Sequence, residues 1–169
     1  MKRLALVLLA LTITLAGCTV SKPQLGPDGK PLPAVFKITK REANRIPLRM
    51  LDAVNALRSA SGLQAVELSP ELTAAAATHS RDMSVQNRAW HFGSDGSSPV
   101  DRVKRAGYKG PLLGENISET FENDVLTLAA WMEEDDTRTV IMNPEARYMG
   151  ISWYQEPSGK IWWTLVMGG

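Results

Sequence analysis

Residues 69–83 read Ser69-Pro70-Glu71-Leu72-Thr73-Ala74-Ala75-Ala76-Ala77-Thr78-His79-Ser80-Arg81-Asp82-Met83, a helix with a marked beginning. Serine before proline is an N-cap followed by the one residue whose missing N–H costs nothing in a first turn, and Glu71 suits the positive end of the helix dipole. Leu72, Ala75, Ala76, His79 and Met83 then fall on one face. His79 sits among these apolar neighbours, which predicts a packed, hydrogen-bonded core histidine rather than a member of a site.

Working outward, three further helices carry weaker signals. Met50, Leu51, Val54 and Leu57 have helical spacing, with a predicted start near Pro47 and a stop at Gly62. Ser98-Pro99-Val100-Asp101 is a capping-box-like opening for a helix of about two turns, with Val100 and Val103 as its apolar face and Gly107 as its end. Asn123-Asp124 caps a fourth, with Val125, Leu128, Ala129 and Met132 along one side; its predicted last turn is acidic, Glu133-Glu134-Asp135-Asp136, against the helix dipole. Two aromatic and β-branched runs, Arg147 to Tyr154 and Lys160 to Met167, flank Glu156-Pro157-Ser158-Gly159 and predict an antiparallel hairpin. Trp162 and Trp163 are adjacent on a strand and must face opposite sides, so one of them is a candidate exposed contact for an apolar ligand. Helices followed by strands predict an α+β layered domain.

Composition excludes several function classes. The 169 residues carry 19 Lys+Arg against 18 Asp+Glu, a net charge of +1, which gives no electrostatic reason to expect a nucleic-acid partner. One cysteine rules out an internal disulfide and any multi-cysteine zinc site, and two histidines leave little for a histidine-rich metal centre. No Gly-x-Ser-x-Gly elbow occurs, and Ser98 is better used as a cap than as a nucleophile.

The single cysteine has another use. Lys2-Arg3 precede an apolar run, Leu4 to Leu15, too short to span a bilayer, and the run ends at Leu15-Ala16-Gly17-Cys18. This resembles the bacterial lipobox, in which the cysteine is acylated and becomes the mature N-terminus; two or more acyl chains make a stable membrane anchor. Thr19 rather than aspartate after the cysteine implies the outer membrane if the source is Gram-negative. Without Lys2 and Arg3 the balance is 17 basic to 18 acidic residues, which predicts no polybasic membrane patch, so the lipid alone is expected to hold the chain. Four prolines, Pro23, Pro27, Pro31 and Pro33, predict a tether up to about residue 44, on which Val35-Phe36-Lys37-Ile38 is placed to dock on the domain.

A specific order of motifs narrows the fold. Ala53-Val54-Asn55-Ala56-Leu57-Arg58, Ala77-Thr78-His79-Ser80-Arg81-Asp82-Met83, His91 with Asp95-Gly96-Ser97-Ser98-Pro99, and Gly114-Glu115-Asn116-Ile117 follow one another. Ala130-Trp131-Met132, Ile141-Met142-Asn143-Pro144 and Met149-Gly150-Ile151 come next. This series resembles the CAP superfamily of cysteine-rich secretory, antigen 5 and pathogenesis-related proteins, in its bacterial, disulfide-free branch. The resemblance implies an α-β-α sandwich with a central antiparallel sheet and a cleft bordered by two histidines and two acids. His91 matches the first cleft histidine and Glu115 the first acid. Glu134, or Glu133 in a shifted register, matches the second acid. Thr137 stands where bacterial relatives usually carry the second histidine. A divalent metal would therefore have to be held by His91, Glu115 and Glu134, and no cofactor is expected.

The expected organisation is a lipoprotein signal peptide over 1–17, acylated Cys18 with its tether over 18–44, and a CAP/SCP-like domain over 45–169. The expected function is that of a lipid-anchored, non-enzymatic binding or interaction module of the bacterial envelope, with the membrane, a lipid or other small apolar ligand, and an envelope protein as partners. The alternative is a metal-assisted hydrolase, of protease or nuclease type, using the same cleft.

Overall fold

The first helix begins at Lys40, well before Pro47. In the computed structural model, which describes residues 35–169, α1 (Lys40–Ala60) is capped by the Thr39 hydroxyl and carries Pro47 in its interior. The proline removes the bond that its amide would have given to the Ala43 carbonyl, yet the helix continues because Ile46, Met50 and Val54 are buried along one face. The helix start expected near Pro47 is corrected toward the N-terminus: proline signals a first turn, but packing carries the helix through it. The expectations for residues 1–17, Cys18 and the chain up to residue 34 lie outside the described residues.

Ahead of α1, Phe36 and Ile38 are tied down. The Phe36 amide donates to the Phe121 carbonyl at 3.0 Å, and the Gln155 side chain accepts from the Ile38 amide at 2.9 Å and donates to the Phe36 carbonyl at 2.6 Å. The expected docking of Val35–Ile38 is thus one backbone bond to Phe121 and two bonds to the Gln155 side chain, with Phe36 and Ile38 packed against the core.

The remaining elements are β1 (Glu67–Leu68), α2 (Pro70–Gln86), α3 (Pro99–Arg105), β2 (Leu112–Thr120), α4 (Asp124–Glu133), α5 (Asp135–Ile141), β3 (Tyr148–Gln155) and β4 (Ile161–Gly168). The caps act as read: Ser69 accepts from the Leu72 amide, and Ser98 with Asp101 closes a full capping box. Val100, however, is exposed, and the buried residues of α3 are Arg102 and Val103.

Helix α5 has no counterpart among the sequence signals, and it changes the meaning of the acidic run. Glu133 ends α4, whereas Asp135 and Asp136 open α5, where the helix dipole favours them. The supposed conflict between charge and dipole does not exist for these two residues. The inward face of α4 is also rotated from expectation: Asp124, Thr127, Leu128 and Trp131 are buried while Val125 and Ala129 are exposed. Asp124 can be buried because Arg49 of α1 grips both its oxygens, at 2.8 and 2.7 Å.

The sheet runs β1-β3-β4-β2. The three long strands are antiparallel, and the short β1 pairs parallel with β3, so the sheet is mixed. Helices cover both faces. Ile161, Trp163, Leu165 and Met167 of β4 face α1, α4 and α5, while Val166 joins Leu72, Ala75, Ala76 and Val103 beneath α2 and α3. That double cover buries both Trp162 and Trp163 completely, so neither is the exposed ligand contact considered from sequence. Gly150 lets α2 seat: a Cβ there would overlap the backbone of Leu72 and Thr73. Among the described residues no helix is long and apolar enough to cross a membrane.

Candidate functional site

Glu115 leaves the α2 side of β2 and is nearly enclosed, with its side chain 4% exposed. Its register partner on β4 is Val166, which belongs to the core beneath α2. Arg102 of α3 brings one terminal nitrogen, Nη2, to 2.9 Å from each carboxylate oxygen and donates through Nη1 to the Ser97 carbonyl at 3.1 Å. The capping box at Ser98 fixes the helix from which Arg102 projects.

Two histidines approach the same carboxylate oxygen. His91 Nδ1 lies 3.0 Å from Glu115 Oε1, and since a carboxylate accepts, Nδ1 carries the proton. His91 itself is half exposed. His79, fully buried on α2, places Nε2 at 3.7 Å from Oε1 and at 2.9 Å from the Trp90 carbonyl. A carbonyl can only accept, so His79 is protonated on Nε2, and its Nδ1 is left without a partner. Burial holds His79 below its ordinary titration range; Glu115 pulls the other way and Arg102 adds to the lowering. His79 is therefore the buried core histidine that the sequence predicts, and it also belongs to the surroundings of Glu115, which the sequence reading does not include.

The lowered value gives a pH prediction. An unfolded histidine takes a proton near 6.5, while folded His79 resists it, so the unfolded state binds more protons in the window just below 6.5. Stability is present above that window and is lost as the pH falls through it. Thermal melts from pH 7.5 to 5 should show a falling Tm, and the fall should be shallower in His79→Gln. An unchanged slope in that variant would contradict the assignment of a neutral buried imidazole.

The other expected members do not join this cluster. Glu134 is exposed at the junction of α4 and α5 and makes no side-chain cap; Glu133 is likewise exposed. The Thr137 hydroxyl donates to the Trp131 carbonyl at 2.6 Å, so it serves the turn between two helices. Asn116, next to Glu115, donates to the Thr137 carbonyl at 2.8 Å, which ties β2 to that turn. The donor set does not fit a divalent ion: the Nδ1 bond to Glu115 leaves Nε2 of His91 free, but Glu115 is held by Arg102 and the Thr137 hydroxyl is engaged with backbone, so neither stands ready as a further ligand. Among the described residues no group of three or more His, Cys, Asp or Glu is placed to hold a metal.

The nearby hydroxyls are also occupied. Ser94 binds Asp82 through both its hydroxyl and its amide, and Ser98 binds Asp101. What remains accessible is the loop Trp90-His91-Phe92. Trp90 and Phe92 pack at a centroid distance of 5.7 Å, Arg88 lies over the Trp90 ring, and Phe92 is half exposed. Beyond Arg102, between α2 and α3, opens a cavity of about 630 Å³ lined by Ala75, Thr78, Arg81, Asp82 and Arg105 among others. The sequence offers a signal for the loop, a histidine flanked by aromatics just past a helix. It offers none for Arg102, whose role depends on β2 passing alongside.

The motif order, the sandwich and the Glu115 cluster can be set beside known proteins. A family model described as "Cysteine-rich secretory protein family" matches residues 51–167. The chain belongs to the CAP family. Among CAP relatives, the uncharacterized protein YkwD of Bacillus subtilis is 28% identical over 120 residues, 71% of this chain and 46% of that protein. An extracellular protein containing an SCP domain from Bacillus anthracis superposes with a TM-score of 0.69 at 22% identity, over 88% of this chain and 45% of that one. An outer surface protein of Borrelia burgdorferi gives a TM-score of 0.65 at 12% identity, over 75% of this chain and 93% of that one. The chain thus spans less than half the length of the two Bacillus proteins, and the structural likenesses support the CAP fold.

Proposed function

We propose that this CAP-domain chain is a lipid-anchored protein of the bacterial cell envelope that works as a non-enzymatic binding module, with its ligand met by the Trp90-His91-Phe92 loop. The observation that carries this is the state of Glu115: enclosed, held by Arg102 and His91, it is a structural anchor for the loop rather than a free acid or base. The cavity beside Arg102, lined by Ser94 and Ser97 just past the loop rather than by the loop itself, lies within the range of about 300–1,000 Å³ typical of small-molecule sites. An envelope location is supported by the lipobox-like Leu15-Ala16-Gly17-Cys18 and by likeness to proteins described as extracellular and outer-surface.

A second reading, a hydrolase, is favoured by one feature. His91 donates Nδ1–H to Glu115, which leaves Nε2 as the nitrogen able to take a proton from water. Neighbouring hydroxyls do not supply a nucleophile, and the site does not fit the metal that a metal-assisted route needs.

Native mass spectrometry of the chain, purified without chelator from a host with an envelope, separates the two. A lipid-sized or other apolar adduct that is lost in Phe92→Ala supports the binding module. A stoichiometric divalent ion lost in His91→Ala, together with hydrolysis abolished in both His91→Ala and Glu115→Gln, would overturn it.

A further inference from the structure

Net charge near zero conceals an uneven distribution. Residues 35–49 hold five basic side chains, Lys37, Lys40, Arg41, Arg45 and Arg49, against one acid, Glu42, whereas residues 50–169 hold sixteen acids against ten basic residues. The structure gathers the basic group at one place. Lys40 and Arg41 stand in the first turn of α1 and Arg45 in the next, at the end where the helix dipole disfavours cations. Among the described residues, Arg49 finds carboxylates in Glu42 and Asp124, but Lys37, Lys40, Arg41 and Arg45 are exposed and in no ion pair. Arg41, Arg45 and Leu48 follow one another at helical spacing, and Leu48 is 59% exposed. The opposite side of the helix, Ile46, Met50 and Val54, is in the core. Charges placed against the dipole and left unpaired around an exposed leucine have no role in holding this fold.

We propose that the outer face of the first half of α1 rests on an anionic lipid bilayer, the one in which acylated Cys18 is anchored. The anchor belongs to the function proposed above, and this inference adds an orientation to it. Seventeen residues from Cys18 to Val35 reach at most about 60 Å even when fully drawn out, so the domain is kept near the surface. Within a Debye length of about 10 Å, an anionic leaflet attracts the basic face and repels the acidic remainder. An exposed leucine between basic side chains suits the headgroup boundary. The expectation of no polybasic patch rests on the whole-chain balance, which averages these opposed regions. Since α1 and α2 lie on opposite faces of the sheet, this arrangement turns the Glu115 cluster and the His91 loop away from the lipid.

The test uses the chain from Thr19 to Gly169, which keeps all the described residues and both core clusters but lacks the acylated cysteine. Cosedimentation is measured with vesicles of phosphatidylethanolamine and phosphatidylglycerol, and with vesicles of phosphatidylcholine alone. Binding is expected to the anionic vesicles only, to be lost in roughly 0.5 M salt, and to weaken about tenfold or more in the triple variant Lys40→Glu, Arg41→Glu, Arg45→Glu. The control Lys104→Glu, Lys109→Glu should bind as the parent does. Equal binding by the triple variant, or none by the parent at low salt, would overturn the proposal. Circular dichroism verifies that each variant is folded. Because this chain is not acylated, the result is independent of the anchor, which the mass of the full chain from an envelope-containing host reports separately.

Discussion

Replacing Arg58 by alanine is expected to lower the melting temperature by about 10–15 °C. Arg58 is completely buried, and among the described residues it is in no ion pair. Its guanidinium instead donates to the carbonyls of Gln64 at 2.8 Å, Ile141 at 2.8 Å, Asn143 at 2.9 Å and Ala146 at 3.3 Å. Burial pushes its pKa down, and Arg147 adds to this. One side chain at the end of α1 thus closes the turn after α1 and holds the Ile141–Ala146 segment, where no sheet or helix partner exists for those oxygens. Alanine would leave the Gln64 and Ile141 carbonyls without that partner at about 1–3 kcal/mol each, while Asn143 keeps the Ala146 amide and Ala146 keeps the Arg147 guanidinium, for a loss of about 4 kcal/mol. Urea unfolding and calorimetry measure it. Arg58→Lys should fall in between, because an ammonium reaches fewer of the four, and it keeps the test informative if the alanine variant does not fold. A change under about 3 °C in the alanine variant would show that the segment holds itself.

The second large effect is expected at Glu115, where breaking the pair and replacing it should differ in size. Glu115→Ala leaves Arg102, itself nearly enclosed, with a buried charge, a situation that costs about 3–5 kcal/mol. Substituting both partners at once, Glu115→Leu with Arg102→Met, removes the unpaired charge and should recover most of that loss. A double-mutant cycle on unfolding free energies isolates the coupling. His91→Ala, on a half-exposed side chain, should cost less than about 1 kcal/mol. Additive losses in the cycle would mean that Arg102 and Glu115 do not depend on each other. A loss at His91 as large as at Glu115 would mean that the loop is structural rather than a surface for a ligand.

Local signals in the sequence are enough for α2, α3 and the β3–β4 hairpin, because a serine cap, a proline in the first turn and a glycine turn act within a few residues of where they stand. The failures involve partners far away in the chain. Asp124 reads as a surface cap residue until Arg49, on another helix, allows its burial, and this rotates the inner face of α4. The acidic run reads as one helix end because the break at Glu134, which makes Asp135 a first-turn residue, leaves no turn signature. Trp162 and Trp163 alternate as a strand requires, but alternation cannot tell whether one face is covered or both. At the site, His91 and Glu115 are legible through motif order, and the structure does bring them together. Arg102 is hidden because its carboxylate lies on a different element, and His79 because an apolar helix face and proximity to Glu115 are compatible.

The short segment ahead of α1 has a mechanical consequence. Any pull on the chain before Val35 would enter the domain through the Phe36 amide, the Gln155 side chain and the Phe36 and Ile38 side chains packed on the core, and these contacts would bear the load before α1 does. They can open and reclose individually while Ile46 and Met50 keep the helix seated. A pull arriving at Val35 would thus be met at Phe36 and Ile38 before it reaches α1.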